Sequence, residues 1–214
     1  MHGPRVEPGP TLGATTSIGG GQHYQLGIFG SGPFDIGPYG IQGSYGWRGR
    51  DALPAARLSV GTPFPSPTLN TDLYLQMPKS VSRKLDAGGG IAAMTSSGQG
   101  GSRLVYAQIG ILSDSGRGLY VTQGFVKEDL TVSRAGSTRL RDDGWLGTIA
   151  YQWRKAEWDR HVFVTAVRGR PFRQYCSTYP LFDCTTLRRP YAVFVGMTYE
   201  LAFRRLSRRP RDNR

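Results

Sequence analysis

Residues 191–203, YAVFVGMTYELAF, decide how the rest of the chain is read. Tyr191, Val193, Val195, Met197, Tyr199, Leu201 and Phe203 are large and apolar, and they take every second position. Between them stand Ala192, Phe194, Gly196, Thr198, Glu200 and Ala202, mostly small or polar. Successive side chains of a strand point to opposite faces, so this is one strand with a continuous apolar face and a mixed one. Thirteen residues at roughly 3.3 Å each reach about 40 Å, and a tilt of about 45° shortens that to about 28 Å. That reach matches a bilayer, and aromatic rings lie near both ends of the apolar face.

Working outward, similar alternation recurs between turn-forming residues. Tyr24, Leu26 and Ile28 share a face in 22–30; Ile41, Tyr45 and Trp47 do so in 39–49, opposite Gln42, Ser44 and Arg48. Segments 55–62, 71–77, 103–112, 118–126, 144–154 and 161–168 follow, with the Gly-rich 85–95 the weakest of the series. With 191–203 these make ten strands, and an extra one at 11–19 would make an odd eleven. Links 49–54, 78–84, 113–117 and 155–160 read as short turns on one side. The other side carries the longer 127–143 and 169–190, with moderate links at 31–38, 63–70 and 96–102. The chain therefore divides into a flexible Pro/Gly-rich segment 1–20, a barrel over 21–203 and a basic tail 204–214.

The segment 191–203 resembles the closing strand of bacterial outer-membrane β-barrels, which typically ends in Phe with Tyr four residues earlier. Here those positions are Phe203 and Tyr199, with Leu201 between them on the same face. The family's Phe is usually the last residue, whereas eleven more follow here. The resemblance implies an all-β fold: an antiparallel up-and-down transmembrane β-barrel of about 10 strands, within a range of about 8–12. It further implies a porin-like protein of the outer membrane with both termini periplasmic. Its partners would be outer-membrane lipids and the barrel-assembly machinery.

Composition agrees with a barrel. The chain has 30 glycines, 11% aromatic and 20% charged residues, and no run of 18 apolar residues that would make a transmembrane helix. The net charge of +12 is uneven, because the last eleven residues hold six Arg and one Asp. That arm can meet anionic groups, but no basic face interleaved with stacking aromatics accompanies it, so nucleic acid is not expected as a partner. Residues 1–13 show neither a basic start nor an apolar core of a secretory signal, which counts against export.

Chemistry-bearing motifs are scarce. His2, His23 and His161 lack metal-ligand spacing, no phosphate-binding loop or GxSxG elbow occurs, and no catalytic, cofactor or metal residue is assigned. His161 is expected in an interfacial or lumenal position. Arg48, Arg57, Arg154 and Arg168 are expected on lumen-facing positions, with Asp72 and Glu200 as counter-charges. In a barrel this small they would form a network that plugs the lumen or lines a narrow anion-favouring path. Cys176 and Cys184, eight apart around Tyr179-Pro180, are expected to form a disulfide in the last long loop. The role implied is structural, adhesive or that of a narrow channel. The competing readings are a soluble lipocalin-like barrel, apolar inside and binding a small apolar ligand, and a barrel-embedded lipid-modifying enzyme.

Overall fold

The computed structural model describes residues 2–21, 39–47, 54–64, 68–78, 85–96, 100–133, 137–155, 157–169, 175–177, 183–185 and 191–203. The strands are β1 (Gly9–Gly21), β2 (Tyr39–Trp47), β3 (Ala55–Phe64), β4 (Thr68–Gln76), β5 (Asp86–Ser96) and β6 (Gly100–Leu112). They continue with β7 (Gly118–Ser133), β8 (Ser137–Lys155), β9 (Trp158–Gly169), the short pair β10 (Tyr175–Ser177) and β11 (Asp183–Thr185), and β12 (Tyr191–Ala202). Ten of them form one closed antiparallel barrel in which each strand pairs with its barrel neighbours in chain order, and β1 pairs with β12 to close the wall. The closing register sets Thr15 opposite Thr198 and Ala14 opposite Tyr199. Closure pairs every wall strand on both sides and leaves no open edge.

The first wall strand is not where the alternation placed it. Gly9–Gly21 forms β1, across most of the segment expected to be flexible and over the extra strand weighed at 11–19, whereas 22–30 lies outside the described residues. The sequence GPTLGATTSIGGG has little side-chain signal, and its backbone is ordered by pairing with β2 and β12 at once. A second correction concerns 127–143. Its described parts, 127–133 and 137–143, continue β7 and β8, which pair from Gly118↔Gln152 out to Ser133↔Ser137. A hairpin ladder satisfies its own backbone whatever the polarity of its side chains, so pairing runs past the apolar band.

The two faces of the wall differ in kind. Val105, Ile111 and Ile149 are 63%, 66% and 62% exposed, and Leu12, Ile41, Leu58, Leu73, Ile91, Val164 and Val195 point outward with them. Thr122, Thr165 and Thr198 point inward and are completely buried, alongside Gln42, Asn70, Gln108 and Gln152. Apolar-out and polar-in is the reverse of a water-soluble barrel. Aromatic side chains ring the end where both described termini lie: Tyr45 packs on Trp47 at 5.0 Å and Tyr151 on Trp153 at 5.9 Å, with Trp158 starting β9. Toward the other end Phe125 meets Trp145 edge-on at 5.7 Å.

The glycines of β5 explain why it was the least legible strand. A Cβ on Gly88 would enter the Tyr74 ring, and one on Gly90 the Tyr106 ring. Both tyrosines face inward from the flanking strands and stack at 6.0 Å, so the missing side chains make their room. At the β6–β7 turn, Gly116 adopts φ 76°, and its N–H donates to the Ser113 carbonyl at 2.9 Å.

Candidate functional site

Among the described residues, charged side chains converge in the lumen, and residues 2–7 lie in it. His2, Pro4 and Val6 are buried inside the wall, at the end of the barrel that carries the β6–β7 turn. The segment 2–7 is held by donors and acceptors spaced along it. The His2 carbonyl accepts from Gln108 at 3.2 Å, the Gly3 carbonyl from Arg57 at 3.0 Å, and the Pro4 carbonyl from the Tyr74 hydroxyl at 3.0 Å. The Val6 N–H donates to Gln76 Oε1 at 2.7 Å. Arg5 forks onto Asp86, with Nη2 at 2.8 Å from Oδ2, and also donates to the Ser113 and Leu112 carbonyls. Glu7 pairs with Arg154. Space is made for the segment as well: a Cβ on Gly46 would run into the Glu7 carbonyl.

Two wall networks flank this segment. In the first, Glu200 of β12 accepts from His2 Nδ1, and its other oxygen lies 3.1 Å from His161 Nε2. The remaining ring nitrogen of His161 is 3.2 Å from the Tyr120 hydroxyl. Both nitrogens are thus engaged, which leaves neither to activate a serine. In the second, Arg57 lies over the Tyr74 ring at 4.8 Å with Nη2 3.8 Å from Asp72, and the Tyr106 hydroxyl donates to Asp72 at 2.6 Å. At the lower rim Arg154 donates to Asp159 at 2.8 Å. Buried charges that are paired and hydrogen-bonded avoid most of the desolvation penalty that isolated ones incur.

Arg57, Asp72 and Glu200 are buried in the lumen, and Arg154 joins them at its rim. Arg168 does not. It shares the outward face with Val164 and Ala166, opposite Trp145 and Tyr191 in register, because side-chain direction alternates strictly from the buried Thr165. Arg48 lies outside the described residues. Tyr199 is on the outer face, and Phe203 follows the end of β12 with 42% exposure. Cys176 and Cys184 stand opposite each other in the β10–β11 ladder; their sulfur atoms lie outside the described side chains, so the expected disulfide has no support there. Sequence reading missed residues 2–7, Asp86, Asp159, Tyr106 and Tyr120, and it gave Tyr74 no role although it set that residue on the polar face. Tyr74 had a usable signal, its alternation with Asp72 and Gln76; the segment 2–7 had none beyond its Pro and Gly content.

Above His2 the lumen continues as a polar cavity of about 20 Å³ lined by Gln42, Ser59, Gly61, Asn70 and Asp72. That volume holds about one water molecule. His2 Nε2 and Ser59 Oγ are buried there with no protein partner, as is Arg57 Nε close by. Among the described residues, no group of three or more His, Cys, Asp or Glu side chains is placed to hold a metal ion.

No protein-family model and no curated protein matches the sequence. Among solved structures, the chain is similar to the NanC porin, at 6% identity and a TM-score of 0.42, over 89% of this chain and 98% of that one. It is also similar to the outer-membrane expressed OmpT of Vibrio cholerae, at 12% identity and a TM-score of 0.25, over 74% of this chain and 64% of that one. Neither likeness bears on what this barrel binds or passes.

Proposed function

We propose that this protein is an integral β-barrel of a bacterial outer membrane, with a lumen closed by its own contents. The observation that carries the reading is the inversion of the two faces. Large aliphatic side chains cover the outside, while threonines, amides and paired charges are buried inside beside one apolar cluster. In water the outer face would be a contiguous apolar surface far above the few hundred Å² that soluble monomers expose. A lipocalin-like barrel needs the opposite arrangement, an apolar lumen to hold an apolar ligand. The aromatic ring at the terminus end fits an interfacial girdle, and Arg168 beside Trp145 fits the opposite interface, where a long side chain reaches for headgroups.

The orientation proposed is the one with both termini in the periplasm. The closing strand with Tyr199, Leu201 and Phe203 would then be what the barrel-assembly machinery engages, and the tail 204–214 would meet anionic groups there. The register of Cys176 with Cys184 allows a disulfide, since opposed residues of an antiparallel pair have Cα atoms about 4.5–5.5 Å apart, within the bridging range. Liquid-chromatography mass spectrometry after thiol alkylation, with and without reductant, tests this; full labelling without reductant shows two free thiols.

The membrane reading is tested by washing. Membranes from expressing cells should retain the protein through carbonate and urea extraction, and the unboiled sample should migrate differently from the boiled one on a gel. Release into the soluble fraction with a single unshifted band overturns it.

A further inference from the structure

We propose that residues 2–7 are a withdrawable plug and that the path they close favours cations. The proposal rests on the membrane-barrel reading above. Its starting point is the division of labour among the lumenal charges. The described wall residues present four carboxylates, Asp72, Asp86, Asp159 and Glu200, against two guanidinium groups, Arg57 and Arg154. Arg57 lies with Asp72, and Arg154 donates to Asp159 and to Glu7 of the segment; within the wall Glu200 also meets His161, and Asp86 accepts from Gln76. The segment 2–7 adds donors to two of these carboxylates: Arg5 forks onto Asp86, and His2 donates to Glu200. Among the described residues the wall's carboxylates outnumber its guanidinium groups, and the segment adds Arg5 and His2 as donors beside the one acceptor, Glu7.

The shape of the lumen agrees. Leu104, Leu146 and Phe163 crowd one side of the interior, whereas Gly13, Ser59 and Gly61 line the other, where the small polar cavity sits directly above His2. With 2–7 in place that cavity ends on the His2 ring. With the segment withdrawn it joins the space between Arg57, Tyr74, Asp86 and Glu200, and a polar path runs along the glycine side. The segment enters from one end, and its anchors are hydrogen bonds and ion pairs that water can replace on exit; only Val6 belongs to the lumenal apolar cluster. In a narrow, low-dielectric lumen an excess of carboxylates raises the local cation concentration and sets selectivity. Of the arginines expected to favour anions, Arg57 and Arg154 each lie against a wall carboxylate.

Planar bilayers containing purified full-length protein, the variant lacking residues 2–7, and Arg5→Glu test the proposal in a potassium chloride gradient. The full chain should be silent. The deletion should show discrete openings whose reversal potential moves toward that of potassium, and Glu200→Gln in the deletion background should move it back toward zero. Arg5→Glu, which sets a carboxylate against Asp86 in an otherwise complete chain, should give brief openings and covers the case in which the deletion does not fold. A deletion or Arg5→Glu variant that inserts and keeps its heat-dependent gel shift but stays silent overturns the plug. So does a full-length protein that conducts like the deletion, and a chloride-directed reversal potential overturns the cation preference. Wild type that fails to enter membranes at all overturns the barrel reading instead, so the two failures are distinguishable.

Discussion

Tyr106 shows how a single residue ties the interior together. Its hydroxyl donates to Asp72 at 2.6 Å, its ring stacks on Tyr74, and the ring occupies the space a side chain at Gly90 would need. Replacing it with Phe leaves the ring and removes the donor, so the buried Asp72 carboxylate loses a short hydrogen bond. Such a loss costs about 1–3 kcal/mol. Urea unfolding of the purified protein in detergent should show Tyr106→Phe destabilised by that order, with the barrel still formed. Gly90→Val acts through volume instead: an isopropyl group is added, whose Cβ alone would lie 2.5 Å from the Tyr106 ring, and overpacking of this kind typically costs about 1–3 kcal/mol. An unchanged midpoint for Gly90→Val would mean that the lumen is looser than the packing of these rings implies.

At the scale of a strand, β12 carries the clearest test of which face meets lipid. Val195 is 48% exposed and points outward between Val193 and Met197, in register with Val164 on β9 and Ile18 on β1. An arginine there costs about 2–4 kcal/mol if the position lies near the bilayer midplane. The fraction of Val195→Arg that acquires the heat-dependent gel shift should fall clearly below wild type; equal insertion would reverse the assignment of faces. Strands such as β3, β6 and β12 were legible because a wall between two unlike environments forces strict alternation. β1 was not, since Gly13, Ala14, Gly19, Gly20 and Gly21 carry almost no hydropathy signal. The outer halves of β7 and β8 were missed for a related reason: VKEDLTVS and STRLRDD lack the strict apolar alternation that marks a strand. Arg168 was misplaced by one step of parity, and one step is enough to move a side chain from lumen to outer surface.

For the whole molecule, closure and plugging come from adjacent stretches of chain, and they should separate on truncation. Removing residues 2–7 takes away lumenal contents and leaves the β1–β12 seam intact. Removing 2–21 takes away β1, leaving β2 and β12 with unpaired edges that a bilayer cannot satisfy. The shorter deletion should therefore still give a heat-shifted monomer, and the longer one should aggregate without a shifted form, as read on unboiled gels of refolded protein. The sequence by itself determined the class of fold, the approximate number of strands and the apolar identity of one face, because alternation is a local property set by each strand's two environments. It also placed Arg57, Asp72 and Glu200 on the polar side, by parity alone. Only the tertiary structure decided which segment closes the barrel and what fills it. The pairing of Gly9–Gly21 with β12 joins residues nearly the full chain apart. The engagement of His2 by Glu200 and of Arg5 by Asp86 depends on barrel curvature, bringing distant strands around a common axis, and no periodicity along the chain encodes that.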